Sequence, residues 1–243
     1  MQSELSRPWM IRISDCDAEG RLRPSALLVE MQELGEAHAA LLGLARRDLI
    51  DHGICWVLYR QQVRFLAPLT FGDALTGLTF PAPIEGPLFP RHFVFTRADG
   101  TPAIEAVTAW ILMDIRSRRP LRPSALPVPM PENRECPAPL KVPGMLPIEG
   151  AQTAMRRAVR YSDVDVNRHM NNTRYIDWVL DALPYEAVTA RGIAGFQINY
   201  SSEARPGEEI EIALKEEELG VLARGVRLSD GRTVFDSRIE WQC

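Results

Sequence analysis

YSDVDVNRHMNNTRYIDWVLDALP, residues 161–184, sets Asp165, Asn167 and His169 at alternate positions just ahead of a segment with helical periodicity. The chain carries an echo of this stretch at residues 13–36: Ser14-Asp15-Cys16-Asp17 matches Ser162-Asp163-Val164-Asp165 at an offset of 148 (162 − 14). Further along, Gly72-Asp73 matches Gly207-Glu208 at 135, and Asp99-Gly100 and Trp110 match Asp230-Gly231 and Trp241 at 131. The falling offset means that the second copy is shorter by about 13 residues between helix and long strand and by 4 more before the hairpin. Length changes of that kind belong in loops.

Period-two patterning predicts a short strand over 10–16, a long one over 54–66, and others over 74–82 and around Phe93-Val94-Phe95. On the long strand it puts Val57, Tyr59, Val63 and Phe65 on one face, with Trp56, Leu58, Arg60 and Arg64 on the other. The Asp99-Gly100 pair predicts a hairpin into a strand at 104–115 that is apolar on both faces. Between the strands at 10–16 and 54–66, Pro24-Ser25 opens a long helix whose broad face holds Leu27, Leu28, Met31, Leu34, His38, Leu41 and Leu42, ended by Gly43. The second copy predicts a strand over 155–163, a helix from about Asn172 to Leu183 ended by Pro184, and strands in 195–202, 209–214, 221–228 and 232–241. Nine of the nineteen prolines fall in 120–147, which predicts an extended linker.

Each unit is thus a strand, a helix and about four antiparallel strands. One apolar helix against one antiparallel sheet makes a two-layer α+β unit, the hot-dog arrangement. Two in tandem are expected to set their sheets side by side as a homodimer does, leaving open a further homodimer of the whole chain. The expected division is a first unit at 1–119, a linker at 120–150 and a second unit at 151–243.

Composition bounds the function. With 46% apolar and 25% charged residues the chain reads as globular, and a net charge of -4 argues against nucleic acid as the main partner. No run approaches the roughly 18 apolar residues of a membrane span, and the first residues lack the apolar core of a signal peptide, so stable membrane insertion is not expected and a cytoplasmic location is. Cys16, Cys55, Cys136 and Cys243 have no paired spacing, which predicts free thiols, with Cys16 and Cys55 as small apolar fillers and Cys136 idle in the linker. Arg116, Arg118, Arg119 and Arg122, and separately Arg156, Arg157 and Arg160, form basic clusters that read equally as solvated faces or as docking sites for an acidic partner.

The two copies differ where chemistry would sit. Asp165-x-Asn167-x-His169 faces Asp17-x-Glu19-x-Arg21, and Glu203 faces Pro68, so the second copy alone holds the whole polar set. Glu203 or His169 could take a proton from water, Asn167 could donate to a developing oxyanion, and Asp165 could orient them near a helix N-terminus. These parts suit hydrolysis of an activated acyl group. A thioester is the apt substrate, because a thiol of pKa about 8.5 leaves readily. One histidine and one or two carboxylates at these spacings do not make a metal-ligand set, and no cofactor is expected.

The run Asp163-x-Asp165-x-Asn167-x-His169-x-Asn171-Asn172, followed by Tyr175-Ile176 and Trp178, closely resembles the signature of the plant and bacterial acyl-ACP thioesterases. The resemblance extends to Trp56-Val57 with Arg60, to Gln32-Glu33 and to Trp110–Arg119, and it is weak in the linker. It implies a tandem hot-dog fold, acyl carrier protein as partner, and a catalytic network of Asp165, Asn167, His169 and Glu203. The plant pattern has Glu-Cys where this chain has Glu203-Ala204, so the resemblance favours water activated by Glu203 over a cysteine nucleophile at that position. Lacking the transit peptide and apolar anchor of the plant forms, the chain looks like a bacterial cytoplasmic one. The first unit, through Leu27, Met31, Leu34, His38 and Trp56, is expected to line the acyl pocket. The alternatives are an acyl-CoA thioesterase, an acyl-thioester hydratase or dehydratase on the same fold, and a non-catalytic acyl-thioester sensor.

Overall fold

A computed structural model describes residues 3–135 and 138–242; Cys136 and Cys243 lie outside the described residues. The first half runs β1 (Leu5–Met10), α1 (Pro24–Leu41), α2 (Arg46–Ile50), β2 (Ile54–Phe65), β3 (Ala74–Pro81), β4 (Leu88–Thr96) and β5 (Pro102–Asp114). The second half runs β6 (Gln152–Ala158), α3 (Tyr175–Asp181), α4 (Tyr185–Thr189), β7 (Ile193–Tyr200), β8 (Glu209–Glu217), β9 (Gly220–Arg227) and β10 (Thr233–Trp241). All ten strands form one antiparallel sheet in the order β1-β3-β4-β5-β2-β7-β10-β9-β8-β6. Read outward from the β2–β7 joint, each half has the same strand sequence, so the fold is a double hot-dog.

The joint fixes the symmetry. Across it Arg60 stands opposite Asn199, Gln62 opposite Gln197 and Arg64 opposite Gly195. Gln62 therefore faces the residue 135 positions on (197 − 62), its own counterpart, and an internal dyad passes between the two. One apolar core spans the joint: Leu27, Leu28, Met31 and Leu34 of α1 share a cluster with Ile176 and Val179 of α3, Phe93 and Phe95 of β4, and Phe196 and Ile198 of β7. A buried polar chain also crosses it. Gln61 donates to the Tyr200 hydroxyl at 2.5 Å, and that hydroxyl donates to the Asn172 carbonyl at 2.9 Å.

Pairing follows the sheet's opposite face. Gln197 and Asn199 alternate with the core residues of β7, and both donate to the carbonyl of Gly144, at 2.7 and 3.2 Å, while Arg60 donates to that of Pro143 at 2.8 Å. The proline-rich segment thus passes over the outer face of the joint. Its earlier part, Leu121, Leu126, Val128 and Met130, packs against Leu44, Leu49, Phe89 and Leu112.

Three local expectations are corrected. The first strand is Leu5–Met10 rather than 10–16, and Ile13–Asp15 form a 3-10 turn whose Asp15 carboxylate accepts from the Arg12 N–H at 2.9 Å. Pro8 fits in that strand because β1 is a sheet edge, where one N–H has no partner to serve. Tyr59 is a bulge: Leu58 pairs with Trp110 and Arg60 with Ala109, so the side-chain phase flips, and Leu58 and Val63 share the core. The second helix is a 3-10 turn at Asn172–Arg174 leading into only seven α-helical residues, and the chain re-enters a helix, α4, directly after Pro184. Proline opens a helix without loss because its missing N–H would have been unpaired there.

Candidate functional site

The loop carrying the polar set is built identically in both halves. Val164 and Met170 form a bridge, the Asp165 N–H donates to the His169 carbonyl at 3.0 Å, and the Met170 N–H donates to the Ala204 carbonyl at 2.7 Å. In the first half Cys16 and Leu22 form the bridge, with Asp17 N–H to Arg21 carbonyl at 2.8 Å and Leu22 N–H to Leu69 carbonyl at 2.9 Å. Each loop has one left-handed residue, Gly20 (φ 74) and Arg168 (φ 64), where glycine is the cheaper choice. The shared frame therefore comes from backbone bonds and a leading aspartate. The other side chains are free to differ.

Asp165 orients Asn167, accepting from its N–H at 2.8 Å and from its Nδ2 at 3.3 Å. Arg46, at the start of α2, donates from Nε to Asn167 Oδ1 at 2.8 Å. A guanidinium can meet only the oxygen of an amide, so the Nδ2 donor is turned away from Arg46. His169 Nδ1 lies 3.4 Å from the Met170 carbonyl, which can only accept, so Nδ1 carries a proton and Nε2 is the nitrogen turned toward Glu203. That Nε2 stands 3.9 Å from Glu203 Oε1, and both side chains keep about a quarter of their surface open, 23% and 27%.

Glu203 lies in the loop after β7. Arg118 holds its Oε1, Arg205 stands 3.7 Å from its Oε2, and Arg227 donates to its backbone carbonyl. Burial pushes its carboxyl up, but the Arg118 hydrogen bond and the charges of His169, Arg118 and Arg205 outweigh burial and hold it below the usual glutamate value. The site thus gathers Asp165, Asn167, His169 and Glu203, the set expected from sequence. It also gathers three residues that the sequence reading did not single out as site members: Arg46, Arg118 and Cys55. Cys55, at the start of β2, is close enough for the charges of Arg118, Glu203 and Arg46 to act on it; burial is the largest influence and pushes its thiol up. It is half-buried, hence a site neighbour rather than the apolar filler expected. No pattern in the chain links these three to the loop, since they come from the other half.

The residues expected to line an acyl pocket do not form one group. Leu27, Met31 and Leu34 are buried in the joint core. His38 is buried beside Arg91, with Arg91 Nη1 2.9 Å from its Nδ1, and burial lowers that guanidinium to about 10. Trp56 packs edge-on to Phe89 at 4.9 Å and donates to the Leu44 carbonyl at 3.0 Å, in a separate cluster. A cleft of about 530 Å³ lies elsewhere, at the first half's version of the loop, lined by Asp17, Arg21, Phe65, Pro68, Trp178 and Arg191 among others. The helix-end contribution expected at the site is partly taken: Asn171 caps the turn, accepting from the Thr173 N–H at 2.9 Å. Of the basic clusters, Arg156 and Arg157 are paired with Glu211 and Asp181, both at 2.7 Å. Among the described residues no helix is long and apolar enough to cross a membrane.

The chain is 25% identical over 217 residues to an acyl-[acyl-carrier-protein] hydrolase of Cuphea viscosissima, covering 82% of this chain and 50% of that one. It spans about half to three-fifths of the length of three of its curated relatives, 50%, 61% and 60%. Among solved structures, an acyl-ACP thioesterase of Bacteroides thetaiotaomicron superposes with a TM-score of 0.90 at 21% identity, covering 99% of this chain and 98% of that one. The 12:0-ACP thioesterase of Umbellularia californica does so at 0.82 and 19%, covering 100% and 98%. Residues 2–124 match the acyl-ACP thioesterase N-terminal domain and residues 149–243 the acyl-ACP thioesterase C-terminal domain, so the chain belongs to the acyl-ACP thioesterase family.

Proposed function

We propose that this protein hydrolyses fatty acyl thioesters of acyl carrier protein to free fatty acid and carrier thiol. The observation that carries the reading is the facing pair His169 Nε2 and Glu203 Oε1, 3.9 Å apart, beside an asparagine whose amide is fixed by Asp165 and Arg46. A water seated to one side of that gap can touch both atoms at about 2.8 Å. Glu203 takes its proton as the water oxygen bonds to the thioester carbon, and Asn167 Nδ2 donates to the carbonyl oxygen as it gains charge. When the C–S bond breaks, the thiolate leaves and the held proton returns to it. His169 shares the water and Asp165 keeps Asn167 aimed.

Ala204 offers no nucleophile, and the nearby Cys55 thiol is pushed up by burial, away from the thiolate form; both support attack by water. We read residues 1–119 as the acyl-binding unit, 120–150 as the linker and 151–243 as the catalytic unit. In that reading the chain lies beside α1, displacing side chains that are packed in this structure, among them Leu27, Met31 and Leu34.

The test is thiol release from acyl carrier protein and from coenzyme A, across acyl lengths, with wild type and Glu203→Gln. Faster turnover on the carrier protein, abolished in the variant, is the expected result. Enoyl absorbance changing without free thiol would instead assign hydration chemistry, and binding without turnover a sensor.

A further inference from the structure

We infer that the first half supplies two positioning residues to the catalytic site, Arg118 gripping Glu203 and Arg46 gripping Asn167, so that the site is complete only across the two halves. This rests on the catalytic reading above.

Arg118 is delivered by a turn built for the purpose. After β5, the Asp114 carboxylate accepts from the N–H of Arg116 at 3.1 Å and from the N–H and hydroxyl of Ser117 at 2.6 and 2.8 Å. The Arg118 N–H closes on the Asp114 carbonyl at 3.0 Å, and Asp114 donates back to the Arg119 carbonyl at 3.0 Å. Within this turn Arg118 has φ 56, the left-handed region that non-glycine residues adopt at a cost of roughly 1 kcal/mol. The backbone thus holds an unfavourable conformation at the residue whose guanidinium crosses 85 positions of sequence to Glu203 Oε1.

Arg46 is fixed as well. It opens α2, its own N–H donates to Glu36 at 3.3 Å, and its Nε reaches Asn167, 121 positions away. Asp165 holds the Nδ2 side of that amide and Arg46 the Oδ1 side; without Arg46 the amide is held from one side only, and its aim at a developing oxyanion loosens.

The contrast across the dyad separates these contacts from generic inter-half packing. In the first half's copy of the loop, Arg21 fills the position of His169 and itself reaches over, donating to the carbonyls of Arg191 and Thr189, both at 3.1 Å. There the loop arginine spans the gap. In the second copy the arginines come from the opposite side, which leaves His169 free to face Glu203.

The experiment uses the full chain carrying Arg118→Gln, Arg118→Lys, Arg46→Gln or Glu203→Gln, with kcat and KM measured against pH and unfolding midpoints matched to wild type. Arg118→Gln is expected to lower kcat about tenfold or more with KM nearly unchanged, and to move the acid limb of kcat/KM upward. Arg118→Lys should restore the limb more than the rate, because it keeps the charge and loses the fork. Arg46→Gln should lower kcat and leave the limb in place. If Arg118→Gln does not fold, Arg118→Lys carries the test by the same split. Variants with wild-type kcat and limb, beside an inactive Glu203→Gln, would overturn this inference alone; an active Glu203→Gln would remove the reading beneath it.

Discussion

Gln62 of β2 stands directly across from Gln197 of β7, its own counterpart in the duplication, and the other pairings of these two strands lie symmetrically to either side of it. Two positions away, Arg64 faces Gly195, and a Cβ on Gly195 would lie 2.7 Å from the Val63 carbonyl oxygen. That obstacle is backbone and cannot swing aside.

Gly195→Ala is therefore expected to destabilise the protein by about 2 kcal/mol, as overpacking against a fixed neighbour does. Chemical denaturation would show it as a lower midpoint. A midpoint equal to wild type would mean that the two central strands can separate locally at no cost.

Glu203→Gln removes the proposed base and keeps the shape. Thiol release is expected to fall about 100-fold or more while the unfolding midpoint stays close to wild type. The wild-type acid limb should lie below the ordinary glutamate value, because Arg118, His169 and Arg205 together outweigh burial and favour the ionised form. Since the ionised form is the base, activity is present above that depressed value and lost as pH falls through it.

Asp165→Ala leaves Asn167 without the carboxylate that holds both its N–H and its Nδ2. A loss of about tenfold to 100-fold in kcat, with KM little changed, is expected from single-turnover or steady-state thiol release. A change confined to KM would reassign Asp165 to substrate binding.

His92 should make the fold acid-sensitive. Buried against Phe80 at a ring separation of 5.5 Å, it has an Nδ1 without a partner, and burial lowers it from 6.5 to about 4. Its folded value lies below its unfolded one, so between those two values the unfolded chain holds a proton that the folded chain refuses, and stability drains away as pH falls through that window. The effect is on the order of 3 kcal/mol at most, and the slope of the unfolding free energy against pH should flatten in His92→Phe.

The duplication, the long helix α1 and the Asp165, Asn167, His169, Glu203 set were all legible in the chain, because a repeat states its own register and residues kept in one copy stand out against the other. What escaped had non-local causes. The Tyr59 bulge inverts the facing of half a strand, and nothing in ICWVLYRQQVRF marks it. The strand at 5–10 was hidden by Pro8, which only an edge position permits. Helix α3 stops short of Pro184, and α4 begins just after it, where proline reads equally as a stop and a start. Arg118 read as one of several surface arginines, since its partner is 85 residues away.

The segment that passes over the joint, bonded to Arg60, Gln197 and Asn199, has a genetic consequence. In a dimer of identical chains every substitution is made twice, once on each side of the axis. Joined in one reading frame, the two sides mutate separately, so one half can carry Arg21 and Pro68 where the other carries His169 and Glu203. Cutting this strap and letting the halves find each other would return the molecule to an assembly, but not to its symmetry.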